Sequence, residues 1–133
     1  MFTLDPRLAA DTVELARWPL CRVLLMNDAN YPWLILVPER PGLRDLDELA
    51  GTDRTAVMDE IARACSALRA MVKPHKLNVA SLGNAVPQLH IHVIARFPSD
   101  PAWPKPVWGV VPAKPYTDSE RDDFKRRFAA AAG

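Results

Sequence analysis

Apolar residues recur along the chain with two different periods, and the changes of period mark out its elements. From Gln88 to Arg96 the period is two: Leu89, Ile91 and Val93 fall on one side of an extended segment, with Gln88, His90 and His92 on the other. Cys21–Met26 and Trp33–Val37 are nearly continuous apolar runs separated by the turn-rich stretch Asn27–Pro32. They predict an antiparallel hairpin in the middle of a sheet, covered on both faces, with Pro38 ending its second strand. Leu77–Ser81 predicts a third strand, turned by Leu82–Pro87 into the histidine segment.

Helical spacing appears in three places. Asp5-Pro6 reads as an N-cap with proline at the first helical position; Leu8, Thr12 and Leu15 then share one face, and the helix stops before Trp18-Pro19. Beyond Pro41-Gly42, Asp45 and Glu48 stand at capping-box spacing and open one short turn that Gly51 closes. Thr52 is then expected to cap the main helix. Its stripe is Val57, Ile61, Ala64, Cys65, Leu68 and Val72, with Asp59, Glu60, Arg63 and Arg69 in other directions. Lys73-Pro74-His75 breaks it. Thr117 and Glu120 cap a last helix carrying Phe124 and Phe128, and Ala129–Gly133 is expected to fray. Between them, Pro98–Pro115 is too broken by proline for regular structure. Its Trp103 and Trp108 must fold back on the domain, cover a site, or pack on a second subunit.

A length of 133 residues, 49% hydrophobic and 25% charged, indicates a single globular domain over the whole chain, with 98–133 as its irregular extension and terminal helix. The 17 basic side chains nearly balance 16 acidic ones, so nothing favours a nucleic acid polymer as partner. An early acid and the lack of a long apolar run give no signal peptide or membrane span, and a cytoplasmic setting with two reduced thiols is expected. Cys65 lies within the helix stripe and reads as buried filler.

The chemistry concentrates in the histidine segment. Side chains on one face of a strand stand roughly 6.5 to 7 Å apart, so two imidazoles and an amide can converge on one tetrahedral group. Spacing alone leaves three readings open: a satisfied core pair, half of a metal site, or a nucleophile with its helper. Zinc wants three or four ligands. The supply is thin, since His75 is the only other histidine and Cys21 and Cys65 are not at ligand spacing.

Gln88-Leu89-His90-Ile91-His92-Val93-Ile94-Ala95-Arg96 resembles the signature of the histidine triad (HIT) family, His-φ-His-φ-His-φ-φ with φ apolar, often closely followed by Arg. Its second and third histidines fall on His90 and His92, its first on Gln88. The resemblance runs from about Leu20 to Arg96. It implies an α+β fold, an antiparallel sheet of about five strands with a long helix and short helices packed on it, commonly as a homodimer. It also implies cleavage or transfer at the α-phosphorus of a nucleoside phosphate, such as a phosphoramidate or dinucleoside polyphosphate, without a cofactor or metal.

Carried over by position, His90 is the nucleophile and His92 contacts the phosphate oxygens. Gln88, unable to carry a proton charge, orients one or the other. Ser81 and Asn84 approach the phosphate or leaving group, while Asn27 holds the ribose or is an ordinary turn residue. The family's Gly-Gln-Ser/Thr segment is replaced by Asn84-Ala85-Val86-Pro87. Trp33 stands where many members have a supporting histidine, narrowing the pocket or exchanging polar support for apolar packing. Arg96 touches phosphate or, as is commoner at a strand end, sits on the surface; Trp108 reaches substrate or packs. The alternative to an enzyme is a nucleotide-binding module with little or no turnover.

Overall fold

A computed structural model describes residues 1–133. Its elements are α1 (Pro6–Asp11), β1 (Thr12–Arg17), β2 (Cys21–Met26), β3 (Trp33–Pro38), a single 3-10 turn at Leu46–Glu48, α2 (Gly51–Val72), β4 (Lys76–Ala80), β5 (Ile91–Arg96) and α3 (Asp118–Ala132). The five strands form one antiparallel sheet in the order β1-β2-β3-β5-β4. The expected hairpin is β2–β3, with Cys21 opposite Pro38 and Leu25 opposite Leu34, so pairing takes in Pro38 as well.

Alternation along β2, β3 and β5 divides the core in two. Val23, Leu25, Leu34, Leu36, Ile91, Val93 and Ala95 face α2 and α3, where Val57, Ile61, Ala64, Leu68, Phe124 and Phe128 complete a cluster of 19 buried residues. Leu24, Trp33, Ile35, Val37 and Ile94 face the other way, onto Leu8 of α1 and onto Ala102 and Val107. Both faces of the central strands are covered, as their unbroken apolar runs require.

The expected first helix is cut short. α1 ends at Asp11, where the Thr12 hydroxyl donates to the Leu8 carbonyl at 2.6 Å, and Thr12 onward pairs with β2 as β1. The spacing of Leu8, Thr12 and Leu15 imitates a helix. The β-branched pair Thr12-Val13 and the open edge of β2 favour a strand.

α2 begins at Gly51, one residue before the expected Thr52 cap, and the Ala50 N-cap supplies no side-chain bond. It ends with Lys73 in the left-handed region at φ 50°, immediately before Pro74. Glu60 is buried instead of solvated. Its carboxylate accepts from the Leu20 and Cys21 N–H groups at 2.9 and 2.8 Å, pinning α2 to the start of β2. Burial, reinforced by this carboxylate, pushes the Cys21 thiol up and leaves it unreactive. Cys65 is half-buried against the core.

At the Thr117–Glu120 box the Thr117 hydroxyl accepts from the Glu120 N–H and the Glu120 carboxylate from the Thr117 N–H. The alanine tail, expected to fray, stays helical to Ala132, where the Arg63 guanidinium donates to the Ala132 carbonyl at 2.9 Å. No helix is long and apolar enough to cross a membrane.

Candidate active site

The histidine strand begins later than its pattern suggests. β5 starts at Ile91, and residues 81–90 form an irregular connection from β4. His90 and His92 nevertheless share the face carrying Ile94, with ring centroids 5.0 Å apart and both side chains largely buried.

Their hydrogen bonds assign the ring protons. His90 Nδ1 lies 2.7 Å from the Gln88 carbonyl oxygen, which can only accept, so Nδ1 carries the proton and Nε2 keeps its lone pair. His92 is arranged oppositely. Trp33 Nε1, which can only donate, lies 3.0 Å from His92 Nδ1, so a neutral His92 carries its proton on Nε2. Burial, with His90 beside it, pushes the His92 pKa down to about 4, and the ring is neutral at pH 7. Tyr31 Oη is the one buried side-chain polar atom without a partner, so both unpaired Nε2 atoms reach open space. The rings therefore offer one lone pair and one N–H side by side.

That space is a cavity of about 400 Å³, within the range of about 300–1,000 Å³ usual for small-molecule sites. Leu8 and Asp11 of α1 form one wall, Met26 and Ile35 the floor, and the Leu82–Val86 loop another wall. Trp108 closes over the rings, its centroid 5.1 Å from that of His92. Gly83 holds φ +82°, and a Cβ there would stand 3.2 Å from the Val86 carbonyl oxygen, so glycine sets the loop's path. No group of three or more His, Cys, Asp or Glu side chains is placed to hold a metal ion.

The sequence matches the family model described as "HIT domain" over residues 8–99, well over half its length. The chain belongs to the HIT domain family. Histidine triad proteins from Bradyrhizobium japonicum and Marinobacter aquaeolei have the same fold, at 42% and 44% identity and TM-scores of 0.97 and 0.96. Each alignment covers 99% of this chain, and 98% and 96% of the other. A histidine triad protein from Sinorhizobium meliloti is similar at 41% identity and a TM-score of 0.95, over 98% of this chain and 96% of its own. No curated protein matches the sequence.

Within this HIT domain the expected site residues separate into two groups. His90, His92 and Asn84 line the cavity together. Gln88 does not: its carboxamide accepts from the Asp5 N–H and donates to the Thr3 carbonyl, both at 2.8 Å, clasping the amino-terminal segment. Its side chain thus holds backbone, and what it gives His90 is its own carbonyl.

Asn27 is exposed and accepts from the Tyr116 N–H at 2.9 Å, a tie to the carboxyl-terminal segment. Ser81 precedes the lining loop without joining the lining. Arg96 is neither a phosphate contact nor a surface charge. It is 1% exposed, paired with Asp100 at 2.8 Å, and it donates to Asn78 and to the Lys105 carbonyl.

Trp103 packs edge-on against His75 and Trp108 against Trp33 and His92, so both fold back on the domain. Sequence reasoning missed Asp11, the one acidic residue lining the cavity, and the polar role of Trp33. Trp33 meets His92 diagonally across the β3–β5 pair, where Ile35 is directly opposite His92. That pairing joins strands distant in sequence, and only the strand order could have revealed it.

Proposed function

We propose that the protein is a nucleotide hydrolase or nucleotidyl transferase acting at the α-phosphate of a nucleoside phosphate through a covalent nucleotidyl-His90 intermediate. The observation that carries this reading is the His90 ring, its Nδ1–H held by the Gln88 carbonyl and its Nε2 lone pair open to the cavity. Nε2 attacks the α-phosphorus, a P–N bond forms, and the bond to the leaving group breaks with its electron pair going to that group. Water then attacks the same phosphorus, releasing the nucleoside monophosphate and the free ring.

During attack the imidazole becomes cationic, and the Gln88 carbonyl stabilises that charge through Nδ1–H. His92 Nε2–H donates to the phosphoryl oxygens as negative charge builds there. A phosphoramidate or a dinucleoside polyphosphate is the substrate class. The apolar floor of Met26 and Ile35 suits a base or ribose face, and Asn84 suits a phosphate oxygen.

A second reading, a nucleotide-binding module with little turnover, is favoured by one observation. The first triad position holds Gln88, whose amide is engaged elsewhere and cannot deliver a proton. Incubating the protein with adenosine phosphoramidate and with diadenosine polyphosphates separates the two. Mononucleotide release and a nucleotidyl-protein adduct by mass spectrometry, both lost in His90→Ala and His90→Asn, support the enzyme; tight binding without release supports the module. The proposed homodimer has an available seat along the outer edge of β4, where Val79 is 46% exposed. Sedimentation equilibrium tests it.

A further inference from the structure

We infer that Trp33 is a positioning residue for His92: its indole N–H fixes which ring nitrogen carries the proton, so that an uncharged N–H donor, not an imidazolium, faces the phosphate. The last clause rests on the function proposed above; the tautomer assignment does not.

The geometry leaves Trp33 little freedom. Its side chain is 4% exposed and is met edge-on by Tyr31 and by Trp108, with centroids 6.2 and 5.8 Å away. The indole N–H is therefore aimed by packing, and it has no acceptor other than His92 Nδ1, at 3.0 Å. Protonating Nδ1 would set two N–H groups against each other in a buried site, losing one hydrogen bond and stranding two donors.

The opposite proton placement on His90 follows from a different acceptor, the Gln88 carbonyl. The start of β5 and the residue before it thus present two imidazoles in complementary states. A charged His92 would also oppose the cation that develops on His90, 5.0 Å away during attack. The titratable groups facing His92 are His90, just ahead of its strand, and Asp11 from α1. β3, the 82–86 loop and the Trp108 segment bring no other charge to the cavity.

The test is nitrogen-15 NMR of the histidine rings in the free protein, beside Trp33→Phe, which removes the N–H and keeps an aromatic ring. In the parent, the His92 proton is expected on Nε2 alone and unchanged down to pH 5, with a scalar coupling across the hydrogen bond between Trp33 Nε1 and His92 Nδ1. In Trp33→Phe both tautomers should populate and the His92 midpoint should rise by about one pH unit, the size of one ordinary hydrogen bond.

A parent His92 protonated on Nδ1, or charged at pH 7, overturns the inference, as does a Trp33→Phe titration superimposable on the parent's. If the variant does not fold, the parent spectrum still decides. None of these signals requires turnover. A protein with the locked ring and no activity contradicts the proposed function alone, whereas activity with an unlocked ring contradicts only this inference. Where turnover is found, Trp33→Phe should lower kcat about tenfold with KM little changed.

Discussion

Acidification from pH 7 to 4 should remove about 3 kcal/mol of folding stability through His92 alone. In the unfolded chain this ring titrates at its ordinary value of 6.5, whereas in the fold it stays neutral to about 4. Below 6.5 the unfolded state binds a proton that the native state cannot, so stability falls as pH falls. The contribution is complete above pH 6.5, declines by about 1.36 kcal/mol per pH unit, and levels off below about 4. Asp100 adds pH dependence only below its ordinary value of 3.8, so the two windows scarcely overlap.

Urea unfolding at half-unit steps from pH 7 to 4, on the parent and on His92→Asn, isolates the effect. Asparagine can still accept from the Trp33 N–H but does not titrate. His75 and His90 remain in both proteins, so the difference between the two curves belongs to His92. A variant that loses as much stability as the parent between pH 7 and 4 would refute a buried neutral ring.

Glu60→Ala should destabilise by about 3 kcal/mol or more, because two buried backbone donors lose a charged acceptor; Glu60→Gln, which keeps one acceptor oxygen, should lose about half as much by chemical denaturation. Breaking the enclosed Arg96–Asp100 pair with Arg96→Ala should cost about 3–5 kcal/mol and expose the turn at residues 98–105 to limited proteolysis. Burial alone would raise the Asp100 pKa, but the Arg96 guanidinium and three backbone N–H groups bring it down to about 2. Its contribution of about 2 kcal/mol is therefore present above pH 3.8 and lost as pH falls toward 2, a limb absent from the Asp100→Asn acid unfolding curve. Gln88→Ala and Gln88→His should each lower stability by about 1–2 kcal/mol and speed hydrogen exchange at the Asp5 amide, and Gln88→His should not raise turnover.

Where the local pattern and the tertiary demand agree, the chain was legible. The β2–β3 hairpin, the α2 stripe and the Thr117 cap depend on neighbours close in sequence, and all three formed as expected. The same holds for the face shared by His90 and His92, because strand alternation is enforced by backbone geometry. Misreadings arose where a distant partner decided. β1 is a strand because β2 offers it a ladder, Glu60 is buried because two N–H groups converge on it, and Arg96 is enclosed because Asp100 and Lys105 fold over it. Gln88 is the instructive case: its position in the motif pointed to chemistry, while its amide fits the Thr3–Asp5 backbone, which no spacing rule could reveal.

The two kinds of information also divide the site's labour. The ring nitrogens are fixed by the Gln88 carbonyl and by Trp33 at the start of β5, whose register cannot slip without turning the His92 ring into the opposite core. The walls come from parts that the sheet does not dictate: the end of α1, the Gly83 turn and the Trp108 segment. Changes in the first two can reshape the cavity without disturbing the ring protons, whereas changes at Trp33, at the Trp108 ring that packs on it, or at the Gln88 backbone reach the protons directly. Chemistry and specificity should therefore separate under mutation. Under the proposed function, substitutions at Leu8, Asp11 and Asn84 should act mainly on which nucleotide conjugate is accepted, and those around the histidine rings, Trp108 included, on whether any is turned over.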